Sequence, residues 1–261
     1  MRQVDMLRLD LTTGEAEKTT DCVAEEVPLQ ISVNAAYSFV IWCSPMQFKE
    51  LAVGYLLGEE ILKSVDEIKN LSSNEAEHTC QITLQPEVNL DERIKHSRRS
   101  IRIIPLIKAS TSAYQHDEKI SFVKSNLKIK AQTVLDALDQ MNKQAKGFKE
   151  TGGLHDSGIF KADGTMVAFS EDVGRHNTVD KVIGLASISK VDFGGCFMII
   201  TGRVPGDMIY KAAKAGLPIV ASVAAVLNSG VSSAQKANIT LVGFVRGKRM
   251  NIYTGAERII W

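Results

Sequence analysis

TGGLHDSGIFKADGTMVAFSEDVGRHNTVDKVIG, from Thr151 to Gly184, decides how this chain is read. A glycine pair, Gly152-Gly153, precedes His155 and a short β-type run at Gly158–Phe160. A second run, Met166–Ser170, leads into Glu171-Asp172 and then Gly174-Arg175-His176-Asn177, which opens a helical pattern over Arg175–Ser187. Glycines permit close backbone approach to a ligand, and a helix start gathers N–H groups under a dipole that favours an anion. For Glu171 and Asp172, capping is favoured over acid–base catalysis. Arg175 and His176 divide evenly between ion pairing with those acids and ligand contact. His155 divides between a ligand-facing role and a buried structural one.

Outward from that stretch the alternation continues. Strands are predicted at Cys196–Thr201, Pro218–Ser222 and Thr240–Arg246, with helices at Pro205–Ala215 and Asn228–Ala237. Such alternation argues for a three-layer α/β sandwich. A helix over Ala131–Lys146 places Val134, Leu135, Leu138 and Met141 on one face. The first half reads as α+β, with strands Pro28–Val33 and Tyr37–Trp42 joined by Asn34-Ala35-Ala36, and a further strand at Cys80–Leu84. Between them Ser44 suits an N-cap and Pro45 the first helical position, ahead of an apolar face of Phe48, Leu51, Ala52, Tyr55 and Leu56. The reading is therefore an N-terminal α+β domain over 1–109 and an α/β domain over 110–261, with the polar segment 110–118 as a mobile boundary.

Apolar content of 44% and charged content of 23% are ordinary for a globular chain of 261 residues. A net charge of +1 gives no general attraction to nucleic acid or anionic membrane, so any anion site is local. The first twenty residues contain no signal-type apolar core, and the mainly apolar run Leu217–Leu227 is too short to span a bilayer. The basic stretch from Arg93 to Lys108 reads first as a solvated edge and second as a docking surface for an acidic partner or phosphates. Four cysteines, at positions 22, 43, 80 and 196, fit neither a disulfide framework nor a zinc motif. Cytoplasm is the expected compartment.

Four blocks in order carry a resemblance: LAVGYLLGEEIL at Leu51–Leu62 behind Cys43-Ser44-Pro45, the Thr151–Gly184 stretch, TGRVPGDMIYKAAKAGLPIV at Thr201–Val220, and ITLVGFVRGKRMNIYT at Ile239–Thr254. Together they resemble the formate dehydrogenase accessory sulfurtransferase (FdhD) family. The resemblance implies a cytidine-deaminase-like fold for the second half and a molybdenum bis(guanine dinucleotide) cofactor as cargo, with GDP or GTP as mimics. It also implies a cysteine desulfurase and formate dehydrogenase as partners; a homodimer is expected, and neither nucleic acid nor membrane is. Residues expected at the cargo are Gly152, Gly153, His155, Arg175, His176, Arg203 and the segment Phe244, Val245, Arg246, Gly247, Lys248 and Arg249. Arginine forks and a lysine beside glycine suit a pyrophosphate. By pattern alone that segment is a basic hairpin turn, with Phe244 and Val245 as strand core.

In similar proteins a Cys-x-x-Cys loop carries sulfur. Here the corresponding loop, Thr111 to His116, holds Ala113 and His116 at the thiol positions, and no Cys-x-x-Cys occurs in the chain. A persulfide needs a thiolate. Cys196 and Cys80 read as buried strand, and Cys22 lies among Asp21, Glu25 and Glu26. Cys43, at an expected helix start where the dipole would lower its pKa, is the substitute to test, though a structural role is the safer reading. Zinc deamination is disfavoured, because His155-Asp156-Ser157 and Pro205-Gly206-Asp207-Met208 lack the glutamate base and the thiolate ligands; no metal site is expected. Three functions compete: sulfur relay to the cargo, binding and delivery without covalent sulfur, and, remotely, a nucleotide-acting enzyme on a deaminase-like scaffold.

Overall fold

In the computed structural model, residues 1–95 and 120–261 are described. The expected loop Thr111–His116, the boundary 110–118 and the basic stretch beyond Lys95 lie outside them.

The chain opens with a hairpin, β1 (Arg2–Leu9) and β2 (Ala16–Val23), which forms a sheet of its own. Next, β3 (Val27–Val33) and β4 (Tyr37–Cys43) pair in register from Val27↔Cys43 to Val33↔Tyr37. In β3 the pattern V-P-L-Q-I-S-V buries every second residue, the period of a strand with one core face. Helix α1 (Phe48–Gly58) crosses beneath, and β5 (Ile68–Asn74) and β6 (Thr79–Leu84) complete a four-stranded sheet of order β4-β3-β6-β5. Leu29, Ile31, Phe39, Leu51, Leu56 and Ile82 fill the space between this sheet and α1. The short α2 (Leu90–Lys95) follows, and its Arg93 forks onto Glu67 at 2.7 and 2.8 Å.

After the two-residue β7 (Ile129–Lys130) come α3 (Ala131–Gln144) and α4 (Lys146–Thr151). Strands β8 (His155–Lys161) and β9 (Met166–Asp172) form a hairpin, and α5 (Arg175–Ile188) returns along it. Then β10 (Cys196–Ile200), α6 (Gly206–Ala215), β11 (Ile219–Ser222), α7 (Asn228–Ala237), β12 (Thr240–Arg246) and β13 (Arg249–Thr254) follow, and β14 (Ile259–Ile260) pairs with β7. The main sheet has order β13-β12-β11-β10-β8-β9, with β10, β11 and β12 parallel and the outer strands antiparallel. Strands β10 and β11 are buried at every position because helices cover both faces. On one face Ile159, Met198, Ile200 and Val220 pack against Val179, Val182, Met208 and Ile209 of α5 and α6. On the other, Phe160, Phe197, Ile199 and Val242 meet Val134, Leu138 and Met141 of α3. The α/β class and the expected alternation are what the structure shows.

Three local expectations are corrected. Helix α1 begins at Phe48, behind Gln47 in a left-handed conformation (φ 56°), so Ser44 does not cap it and Pro45 is not its first residue. The helix expected over Ala131–Lys146 breaks at Ala145 into α3 and α4. The first residues, read only as free of an apolar core, form the β1–β2 hairpin. Among the described residues no helix is long and apolar enough to cross a membrane.

Helices α1 and α5 touch backbone to backbone through glycine. A Cβ on Gly54 would stand 1.8 Å from the Asp180 carbonyl oxygen, and one on Gly184 would stand 1.9 Å from that of Glu50. Gly58, one turn on, leaves room for the buried pair Asp180–Lys211, whose oxygens and ammonium meet at 2.5 and 2.6 Å. Replacing Gly184 with alanine must therefore push the helices apart, and overpacking of this kind costs about 1–3 kcal/mol. Urea unfolding of Gly184→Ala should show that loss, whereas Gly195→Ala, where an added methyl meets nothing within 4 Å, should stay within about 0.5 kcal/mol of wild type.

Candidate functional site

The parallel strands end at one edge of the main sheet, and the starts of α5, α6 and α7 lie along it, the arrangement in which open α/β sheets bind ligands. Because β8 runs antiparallel to β10, its first residue, His155, reaches the same edge: Ser157 pairs with Ile200, and the Asp156 N–H donates to Thr201 Oγ1 at 2.9 Å. Gly152 terminates α4 at φ 65°, a left-handed value suited to glycine, and its exposed neighbour Gly153 leads back into β8. His155 Nδ1 sits 3.5 Å from Thr201 Oγ1. Burial, and then the nearby Arg175 cation, hold its pKa below the ordinary histidine value, so the imidazole is neutral at pH 7.

Arg175 opens α5 and lies across Gly202, where a Cβ would come within 2.9 Å of its own. Its Nε is buried without a hydrogen-bond partner. His176 places Nε2 2.7 Å from Oδ2 of Asp207 at the start of α6. Arg203 is exposed on the loop after β10, and that loop is pinned by the Ser222 hydroxyl, which donates to the Gly202 carbonyl at 2.7 Å. Arg246 donates from Nε to the Val223 carbonyl at 3.2 Å and stands 5.5 Å over the Phe244 ring. Gly247 and Lys248 make the turn into β13, so Arg246–Arg249 is a basic hairpin turn, exposed throughout. Phe244 adopts φ 52° where the β12–β13 register shifts, the mark of a bulge that re-aims a side chain. It is half-buried at the edge and not strand core. Val245, by contrast, is fully buried against the α3 face, which removes it from the ligand-facing set.

The two acids find partners other than Arg175 and His176. Asp172 is fully buried and pairs with Lys181 Nζ at 2.6 Å. It also accepts from Ser44 N (3.1 Å), Gly174 N (2.8 Å) and Asn177 Nδ2 (2.8 Å). Glu171 accepts from Gly147 N and Phe148 N at the start of α4. Glu171 thus caps a helix other than the one expected, whereas Asp172 is taken up by Lys181 and by the approach to α5 rather than by its first-turn N–H groups. Lys181, Thr201 and Asp207 are the residues that sequence reasoning missed. Asp207 alone left a trace, as an acid in the first turn of a predicted helix.

The thiols are sorted by burial. Cys43 ends strand β4 rather than starting a helix, and burial, with Asp172 adding to it, pushes its thiol up to about 12. Buried and with its thiol held that high, Cys43 is not the low-pKa thiolate that a helix start would have supplied. Cys80 is likewise buried and pushed up to about 12, and Cys196 is raised by burial in β10. Cys22, on β2, is the thiol that is not buried. In register it stands opposite Gln3, and Ala24, two residues on, lies against Gly153. Among the described residues no cluster of three or more His, Cys, Asp or Glu side chains could hold a metal.

Comparison with known proteins matches residues 24–260 to the FdhD/NarQ family. A sulfur carrier protein FdhD of Methanothermobacter thermautotrophicus is 35% identical over 261 residues, covering 99% of this chain and 98% of its own. One from Saccharolobus solfataricus is 32% identical over 268 residues, with the same coverage. A crystal structure of a candidate formate dehydrogenase accessory protein from Desulfotalea psychrophila superposes with a TM-score of 0.79 at 20% identity, over 99% of both chains, a likeness of fold.

Two outcomes follow from this geometry. In the native protein at neutral pH an alkylating reagent should modify Cys22 and leave Cys43, Cys80 and Cys196 untouched until denaturant is added, as read by mass spectrometry. Asp172→Asn removes one partner of a buried ion pair and should cost about 3–5 kcal/mol in denaturant unfolding.

Proposed function

The chain belongs to the FdhD/NarQ family, and we propose from this that it serves formate dehydrogenase maturation by holding the molybdenum bis(guanine dinucleotide) cofactor as cargo at the carboxyl edge of its main sheet. The observation that carries this reading is the unspent donor set there. Arg175 keeps a buried Nε without a partner, while Arg203 and the Arg246–Arg249 turn are exposed at the same edge. Guanidinium forks and a lysine beside glycine fit a pyrophosphate, which accepts several charge-assisted hydrogen bonds at once. A neutral His155 next to Gly152-Gly153 adds a donor or acceptor that carries no charge of its own. Phe244, aimed by its bulge and covered by Arg246, offers an aromatic face beside the turn. In this reading the chain's groups bind and orient the nucleotide ends of the cargo, and the molybdenum chemistry belongs to the cargo itself. The protein acts in the cytoplasm, as a homodimer, with a cysteine desulfurase and formate dehydrogenase as partners.

For sulfur, the buried thiols favour binding and delivery over relay through Cys43, Cys80 or Cys196. Ala113 and His116 cannot form a persulfide, and Cys22 is the one accessible thiol. Deamination finds no support in the residues: Ser157 stands where a His-x-Glu motif would place its glutamate, and Pro205-Gly206-Asp207-Met208 offers no thiolate ligand.

Titration calorimetry with GDP tests the site. Arg246→Ala and Arg249→Ala should each weaken binding by about 1–3 kcal/mol, the worth of a charge-assisted contact, and unchanged affinity would remove the turn from the site. Incubation with a cysteine desulfurase and cysteine tests the sulfur step. Any mass gain of one sulfur should fall on Cys22 and vanish in Cys22→Ser, while Ala113→Cys with His116→Cys should raise it.

A further inference from the structure

One buried cluster is used by nothing described so far. Asp156 of β8 and Glu171 of β9 are directly opposed across the hairpin, so both side chains leave the sheet on the same face, the one covered by α3 and α4. Both are buried, at 2% and 9% exposure. Two carboxyls opposed in a buried site do not both ionise, so the pair is placed to hold one proton, and Asp156 Oδ1 is buried without a partner. Glu171 is the member that has backbone donors. Its oxygens accept from Phe148 N at 2.8 Å and Gly147 N at 3.1 Å, two donors in the first turn of α4 that favour an anion. The proton therefore sits on Asp156.

The contacts continue to the glycine turn without a break. Gly147 and Phe148, held through their N–H groups by Glu171, hold the end of α4 through their carbonyls. Thr151 Oγ1 donates to Gly147 O at 2.8 Å, and Gly152 N donates to Phe148 O at 2.7 Å. Gly153 N then donates to Thr151 Oγ1 at 3.1 Å. The fit around Gly147 is close, since a Cβ there would stand 2.5 Å from Leu154 Cδ1 and 3.2 Å from Glu171 Oε1. Helix α4 has only six residues, so it has little cooperative stability of its own and depends on such anchors.

We propose that Asp156 and Glu171 form a proton-sharing carboxyl latch whose closure positions α4 and, through it, the Gly152–Gly153 turn ahead of His155. The latch makes the glycine turn pH-sensitive. Its bearing on ligand binding rests on the reading of that turn as part of the cargo site. Other charges around the pair do not supply the missing partner. Lys181 of α5 gives its ammonium to Asp172 and the Glu171 carbonyl, both away from the pair. Lys146, Lys149 and Glu150 of α4 are exposed, Lys149 bonding the Lys143 carbonyl at the end of α3. Just past β10 the neighbour is the neutral Thr201 hydroxyl, which accepts from the Asp156 amide. The face of β8 that bears His155 is the opposite one. When Asp156 ionises, two carboxylates face each other in a buried site, and Glu171 is drawn off the α4 donors.

The sign follows from the raised Asp156 pKa, which burial and then Glu171 push up to about 7. A latch closed in its protonated form is strongest in acid. Its contribution falls as pH rises from the ordinary carboxylate range to about 7 and is flat beyond. Native-state hydrogen exchange on the full chain reads this directly. Protection of the Gly147 and Phe148 amides, corrected for intrinsic exchange, should fall about tenfold per pH unit up to about 7 in wild type. In Asp156→Asn, which cannot ionise, it should not change with pH. Flat protection in wild type, or an equal slope in both proteins, would overturn the latch. Should Asp156→Asn fail to fold, the carbon-13 shift of the wild-type Asp156 carboxyl decides: a midpoint near 7 supports the pair, and one in the ordinary carboxylate range overturns it. Calorimetry with GDP separates the two readings. Affinity that weakens through the same window in wild type but not in Asp156→Asn ties latch to ligand, and affinity blind to pH while the amides respond breaks that tie. Absence of GDP binding in both proteins would overturn the cargo-site reading and leave the exchange slopes to judge the latch.

Discussion

The buried Asp172 carboxylate is the constraint on which the rest of the structure depends. A charge with no exposure must be paired and fully hydrogen-bonded, or it would neutralise or unfold its surroundings. Asp172 meets that demand from three directions: Lys181 within α5, Gly174 and Asn177 at the start of α5, and the Ser44 amide between β4 and α1. The Ser44 hydroxyl returns the contact by accepting from the Val173 amide. One side chain thus fixes where β9 ends, where α5 begins and where the first sheet docks. The glycine contact between α1 and α5 continues the same seam, and the Asp180–Lys211 pair closes it against α6.

That arrangement also sets the surroundings of Arg175 and His176 at the start of α5. Asp172 is saturated and Glu171 faces the other side of the sheet, so the two acids nearest in sequence do not neutralise the cations. His176 instead takes a neighbour from α6, Asp207. Arg175 is left with an unused donor, held in place by Gly202 beneath it. Placing a carboxylate beside an arginine in sequence does not pair them when strand alternation sends successive residues to opposite faces.

The same alternation separates two adjacent carboxylates into different roles. Asp172 points toward α5 and is stabilised as an anion by a lysine and three N–H donors. Glu171 points toward α4 and shares its surroundings with Asp156, where the second carboxyl holds a proton. Thiol chemistry divides by the same rule of surroundings. Cys43 sits beside the Asp172 carboxylate in a buried strand end, which is the wrong place for a thiolate, whereas Cys22 lies on a hairpin outside the main core.

Sequence alone determined the strand and helix order of the main sheet, because runs such as Cys196–Ile200 and Ile219–Ser222 read as buried strands and the segments between the strands read as helices. It also singled out the glycine turn, the two helix starts and the basic turn, since those residue types are scarce in core elements, and the order of motifs identified the family. Only the tertiary structure decided what the polar residues do. Cys43 and Ser44 read as a helix start because serine and proline signal one locally, yet the Asp172 carboxylate, 128 residues distant, claims the Ser44 amide and delays the helix to Phe48. Val245 and Phe244 were inseparable by pattern, and a bulge set by pairing with β13 sent one to the core and the other to the edge. The partners of Lys181, Lys211 and Asp156 were likewise invisible, because a buried ion pair or shared proton is a property of two elements brought together and leaves no periodicity in either.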